Sequence, residues 1–191
     1  MTLPATCHPL SVEEYLRMEA EAAVKHEYVN GEIYAMSGAS ERHNRIALNA
    51  AFHLRAATRG SPCAVFISDM KLRIVGLNAF YYPDVMLCCD PADDHPLYKT
   101  APCLVVEVLS PSTVNIDRRE KWLAYRGLAS LQCYLLVESE RRQADYYLRD
   151  AAVGWRTGRL AEGEVLNLRC GGLDLALSLD DLYEDVPLPP Q

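Results

Sequence analysis

Lysine is scarce in this chain of 191 residues: of its 19 basic residues only Lys25, Lys71, Lys99 and Lys121 are lysines. In a sequence that prefers arginine, each retained lysine raises the question of what a compact point charge does there that a planar guanidinium would not. Long apolar runs are also missing, and none approaches the ~18 uncharged residues of a membrane helix. The first thirty residues lack a basic start followed by an apolar core, so no secretory signal is expected. The seven cysteines lack metal-binding spacing, Cys88 and Cys89 being adjacent and the others isolated. They are expected to be reduced, mostly buried thiols of a cytoplasmic protein. There is no internal repeat, no linker, and no separate helix-turn-helix or zinc finger. Composition excludes disorder, collagen and coiled coil.

What is present suits one globular domain over 1–191, half of it hydrophobic with a mean hydropathy of −0.09. At this length roughly two-thirds of the unfolded chain's surface can be buried, so no staple is needed. The net charge of −7 argues against a protein that coats nucleic acid. Its distribution softens that. Arg42, Arg45, Arg55, Arg59, Lys71 and Arg73 face only Glu41 and Asp69 within 41–73, a local +4. Asp174, Asp180, Asp181, Glu184 and Asp185 leave the segment 174–191 at −5.

An N-terminal helix and hairpin are expected over 11–36. Ser11-Val12-Glu13-Glu14 has the form of a capping box, and Asn30-Gly31 between β-formers signals a type I′ hairpin. Ser40 caps a helix whose stripe is Ile46, Ala47, Ala50 and Leu54. Strands follow at 64–75, 80–89 and 103–109, then a helix at 117–126 and a strand at 132–138. The order helix, strand, strand, strand, helix, strand over about 40–140 predicts an α/β domain with a mixed sheet flanked by helices. Short strands and a tail are expected over 144–191.

Glu107 stands out. Inside Leu104-Val105-Val106-Glu107-Val108-Leu109 an ionised carboxylate needs a raised pKa, a cationic partner or a metal. Asp84, in Tyr82-Pro83-Asp84-Val85, is a second acid one strand earlier. On neighbouring strands the two would converge, and hard oxygen ligands suit Mg²⁺ or Mn²⁺. The plainer alternatives are that Asp84 caps a bulge and Glu107 pairs with an arginine. Lys121 stands four residues after Asp117, which is an ordinary surface-pair spacing. Its position before Ala124 and Tyr125 places it nearer the packed border. His43 suits a structural helix-border role, Asp69 and Lys71 a solvated strand face, and Glu32 a hairpin surface.

Pro83-Asp84, Glu107-Val108-Leu109-Ser110-Pro111-Ser112-Thr113 and Asp117 with Lys121 together resemble a bacterial family of uncharacterised restriction-endonuclease-like proteins in the PD-(D/E)XK nuclease superfamily. Tyr28-Val29-Asn30-Gly31-Glu32 and Ser68-Asp69-Met70-Lys71 add to the resemblance, which covers about 11–185. It implies a restriction-endonuclease-like core and metal-dependent hydrolysis of phosphodiester bonds in nucleic acid, DNA before RNA, by a homodimer without membrane attachment. Asp84, Glu107 and the Val108 carbonyl would hold Mg²⁺ or Mn²⁺. The superfamily's usual lysine two places after the glutamate is replaced by Leu109, and Lys121 would take its role of orienting or helping to deprotonate a water. Glu32, His43, Asp69 and Lys71 match as additional site residues, and Arg42, Arg45, Arg118 and Arg119 are candidates for phosphate contact. The alternative is a non-catalytic nucleic-acid-binding or protein-interaction module on the same fold, which the missing lysine and the −7 charge favour.

Overall fold

The computed structural model of the protein describes residues 8–110 and 116–189. Pro111-Ser112-Thr113 of the motif after Glu107, and the end of the tail, lie outside the described residues. Helix α1 (Val12–Glu21) opens on the expected capping box, with the Ser11 amide donating to the Glu14 carboxylate at 2.8 Å. Strands β1 (His26–Val29) and β2 (Glu32–Ala35) pair antiparallel across Asn30-Gly31, whose φ values are 49° and 99°. Gly31 is required for space as well, because a Cβ there would stand 2.3 Å from the Pro9 Cβ. Helix α2 (Glu41–Ala57) starts at Ser40 and buries Ile46, Ala47, Ala50 and Leu54, as its stripe predicts.

The next two strands differ from expectation. Instead of running unbroken over 64–75 and 80–89, each bends in its middle. The first divides into β3 (Ala64–Ile67) and β4 (Lys71–Ile74), the second into β5 (Ala79–Tyr81) and β6 (Val85–Cys88). The chain continues through the two-residue β7 (Tyr98–Lys99), β8 (Pro102–Leu109), a π-helical turn (Ile116–Lys121) leading into α3 (Trp122–Tyr125), β9 (Cys133–Glu138), β10 (Ala144–Asp150) and β11 (Gly154–Leu160). The halves of the bent strands lie in different sheets, one ordered β2-β1-β5-β4-β7 and the other β11-β10-β9-β8-β6-β3. Pro83 has no N–H for a ladder, and Ser68 holds φ at 23°, so both mark the corner. Period-2 alternation is the same on either side of a bend and cannot reveal it.

In the six-stranded sheet β3–β6 and β6–β8 are antiparallel and β8–β9, joined by the helical crossover, is parallel. The predicted mixed sheet and helix-strand-strand-strand-helix-strand order are present. The C-terminal strands extend further than expected. The strands β10 and β11 widen the main sheet, while β12 (Val165–Cys170) and β13 (Leu173–Ser178) form a separate hairpin. Helix α4 (Leu179–Tyr183) follows, capped by Ser178 and Asp181, so part of the acidic C-terminal stretch is helical. Val85, Leu104, Val106, Val108 and Leu135 face α2, the β12–β13 hairpin and α4. On the other face Val105, Leu109, Tyr134 and Leu136 meet α3 and the inner side of the five-stranded sheet. Tyr15, Tyr28 and Phe80 seal α1 against that sheet's outer side. Among the described residues, no helix is long and apolar enough to cross a membrane.

The cysteines correct another expectation. Cys63 bonds to Cys89, and Cys103 to Cys170. Spacing along the chain could not show this, because strand pairing creates it. The β3–β6 register sets Ala64 opposite Cys88, so the next pair outward is Cys63 and Cys89, with Cα atoms 4.0 Å apart. Cystines are uncommon in reducing compartments, so the cysteine pattern no longer argues for the cytoplasm. Cys88 and Cys133 are buried free thiols, each pushed up to about 12 by burial. Denatured but unreduced protein should therefore leave four cysteines resistant to alkylation. Reduction should cost about 3–4 kcal/mol per bridge, by loop-closure entropy, in thermal unfolding. Alkylation of all seven would contradict the pairing.

Candidate active site

All eight residues of β8 are buried, and Glu107 is 2% exposed. It lies on the strand face of Val105 and Leu109, between the two sheets. A carboxylate in that position must find partners. Lys121 Nζ lies 3.2 Å from its Oε1, and the Tyr125 hydroxyl donates to the same oxygen at 3.0 Å. The ammonium is also 3.0 Å from Glu27 and 3.2 Å from Asp117. One cation thus serves three carboxylates. The π-helical turn brings Asp117 and Lys121 inward together, and both are buried. The pairing of Asp117 with Lys121 is therefore an interior contact rather than the surface pair its spacing suggests.

Burial drives the Glu107 carboxyl well above the usual carboxylate range. Lys121 opposes that shift, while Asp117, Asp84 and Glu27 reinforce it. Burial alone would lower Lys121, but the three carboxylates outweigh it and hold the ammonium well above its ordinary value. Lys121 in this setting is a proton donor and a positioning charge. Burial and the Glu107 charge likewise keep Tyr125 protonated, so its hydroxyl remains a donor.

Asp84 sits at the corner between β5 and β6. Val85 pairs with Val106 across β6 and β8, so the same register sets Asp84 opposite Glu107. Asp84, one residue before β6, therefore stands beside Glu107 of β8. Both Asp84 oxygens are engaged: Oδ1 lies 2.9 Å from His43 Nε2, and Oδ2 accepts from the Val108 amide at 2.7 Å. At Val108 it is the N–H that meets Asp84. His43, on the first turn of α2, joins the site. A cleft of about 510 Å³ opens over this pair, bordered by Lys25, Asn44, Ser68 and Ser110.

Other expected residues fall elsewhere. Glu32 is exposed on the hairpin and accepts from the Tyr34 hydroxyl at 2.6 Å. Asp69 is exposed and paired with Lys25. Lys71 is half-buried with its ammonium 5.2 Å from the Tyr82 ring, and burial lowers its pKa. Arg42 pairs with Glu140, Arg45 with Glu41, and Arg118 with both Glu138 and Asp145, at 2.8 and 2.9 Å. Arg119 is exposed. Two groups were not anticipated. Glu27 reaches Lys121 from the face of β1 opposite the buried Tyr28, a face that only the pairing of β1 with β5 turns inward. Glu19, buried on α1, accepts from the His26 amide and the Tyr82 hydroxyl, each at 2.8 Å, and so anchors the segment that leads to Asp84.

Among the described residues, no three His, Cys, Asp or Glu side chains close into a ready metal cage. The donor chemistry still suits a hard divalent cation. Glu27, Glu107 and Asp117 outnumber the one ammonium they share, and Asp84 stands at the corner just before the neighbouring β6.

This two-sheet α/β architecture is shared with a solved structure. A crystal structure from Anabaena variabilis, titled as a putative nuclease belonging to DUF820, superposes with a TM-score of 0.72, covering 92% of this chain and 98% of that one at 16% identity. The chain itself belongs to the Uma2 family, described as "Putative restriction endonuclease", whose model matches residues 12–180. Two uncharacterized proteins of Synechocystis sp. are similar to it. The protein slr1290 is 39% identical over 171 residues, 89% of this chain and 90% of its own length. The protein sll1609 is 34% identical over 158 residues, 81% and 89% respectively. Family and fold support a nuclease-like function.

The uneven charge count makes opposite predictions for two substitutions. Lys121→Met leaves the buried Glu107 and Asp117 and the half-buried Glu27 without their cation and should destabilise by about 3–5 kcal/mol in denaturant unfolding. Glu107→Gln keeps an acceptor for Tyr125, removes one of three competing charges, and should leave stability unchanged or raised. Equal losses in the two variants would contradict the arrangement.

Proposed function

We propose that the protein is a metal-dependent endonuclease that hydrolyses phosphodiester bonds of nucleic acid, with DNA as the first substrate class. The observation that carries this reading is the register that sets Asp84, just before β6, beside Glu107 of β8, with Lys121 3.2 Å from Glu107. Asp84 and Glu107, with the Val108 carbonyl, would hold Mg²⁺ or Mn²⁺. A bound ion there supplies a lowered pKa for a coordinated water and offsets charge on the phosphate.

The remaining roles belong to the chain's own side chains. His43 and the Val108 amide fix the two oxygens of Asp84. Lys121 and Tyr125 fix Glu107 by donating to the same oxygen. The charged Lys121 offsets part of the acid excess that would otherwise force Glu107 to hold a proton. Dimerisation, by which both strands of a duplex are cut, belongs to the same proposal and is read by equilibrium sedimentation. A non-catalytic module is the second reading, favoured by the full engagement of Lys121 with three carboxylates.

Supercoiled plasmid, single-stranded DNA and RNA incubated with purified protein separate the two. The enzyme reading expects cleavage with Mg²⁺ or Mn²⁺ that stops in chelator and falls at least a hundredfold in Glu107→Gln and Asp84→Asn, both still folded. No cleavage of any form, together with no heat of Mg²⁺ or Mn²⁺ binding, would leave the module reading.

A further inference from the structure

Three of the four arginines expected to meet phosphates are occupied, and the fourth, Arg119, is exposed on the π-helical turn away from the residues that line the cleft over Asp84. Arg42, Arg45 and Arg118 each face acidic side chains, and Arg45 also donates to the Asp185 carbonyl. The cleft over Asp84 instead presents a lysine. Lys25 follows α1 and lines the cleft together with His43, Asn44, Ser68, Asp84 and Ser110. Its ammonium donates to the Ser68 carbonyl at 3.2 Å, while the Ser68 amide donates to the Asp84 carbonyl at 3.1 Å. One residue therefore ties Lys25 to the backbone of Asp84. Ser68 does this at φ 23°, a conformation that a non-glycine residue holds only where its surroundings impose it.

We propose that Lys25 is the phosphate handle of this cleft. It holds a phosphodiester of the nucleic-acid strand beside Asp84 and exchanges its contact with Asp69 for the substrate. This inference rests on the nuclease reading and adds to it the residue that recognises the backbone.

Three features support the exchange. The Lys25–Asp69 pair is exposed, with side chains 43% and 80% accessible, so it is weakly held and open to competition. The ammonium is aimed by the Ser68 carbonyl and stands 5.8 Å from the Tyr82 ring, and Lys71 lies 5.2 Å from the same ring. Two of the chain's four lysines thus flank the residue that leads into Pro83-Asp84. The first turn of the 17-residue α2, with the partial positive charge of a helix N-terminus, borders the same cleft through His43 and Asn44. A compact ammonium that can swing between a carboxylate and a phosphate also suits lysine better than arginine.

The test is fluorescence anisotropy with labelled DNA and RNA oligonucleotides, in chelator and again in Ca²⁺, across about 50–200 mM salt. Lys25→Gln should bind several-fold more weakly on every sequence and show a salt slope smaller by about one. Asp69→Asn, which removes the competing carboxylate, should bind more tightly than the wild type. Because both residues are solvent-accessible, the two variants should melt like the parent. If the wild type binds and both variants match it in affinity and slope, the handle is wrong and the nuclease reading stands. If the wild type binds neither DNA nor RNA, the nucleic-acid reading falls and the handle with it.

Discussion

A single ammonium, Lys121 Nζ, lies within 3.2 Å of three carboxylates inside the protein, and the two sheets meet around it. Each acid comes from a different element: Glu27 from the N-terminal hairpin, Glu107 from the central strand, and Asp117 from the turn that crosses over the sheet. Isolated buried carboxylates are costly, and the shared cation offsets that cost for Glu107 and Asp117, which are buried, and for the half-buried Glu27. The contact therefore does more than join two residues. It holds hairpin, strand and crossover in one relative position, and it leaves a local excess of negative charge that is the property a nuclease centre needs.

The corner at Ser68 and Pro83 brings the other half of the site to this point. Were the strands of 64–75 and 80–89 straight, Asp84 would be one residue in a ladder. The bend frees its side chain to accept from the Val108 amide and to meet His43. It also leaves the peptide between Ser68 and Asp84 as the link between cleft wall and strand. The asymmetry that results is chemical: the Asp84–His43 pair faces the cleft, while the acids around Lys121 are sealed behind it, with Glu107 2% exposed.

Much of this was legible in the sequence for definite physical reasons. Capping residues, the Asn-Gly turn and the apolar stripe of α2 are local, and each lies where expected. Glu107 announced itself because a charge inside an apolar strand has few explanations, and the scarcity of lysine singled out Lys121. What the sequence concealed depends on pairing between distant segments. Alternation along 64–75 does not say which sheet a residue belongs to. Glu27 looks like any hairpin acid until β1 pairs with β5, and Cys63 and Cys89 are isolated until β3 pairs with β6. Arg42 and Arg118 looked available for phosphate because their acidic partners Glu140, Glu138 and Asp145 lie far off in sequence, whereas Arg45 pairs with the nearby Glu41. In Arg45 the distant partner is a backbone carbonyl, which no charge count can show.

The proposed function requires these acids to receive a divalent cation. Anomalous diffraction from crystals soaked in Mn²⁺ tests it most directly. A peak is expected between Asp84 and Glu107, with the Lys121 ammonium still in contact with Glu107. An empty site at saturating Mn²⁺, with Asp84 still bound to His43 and Val108, would contradict it and leave the acids a purely structural role.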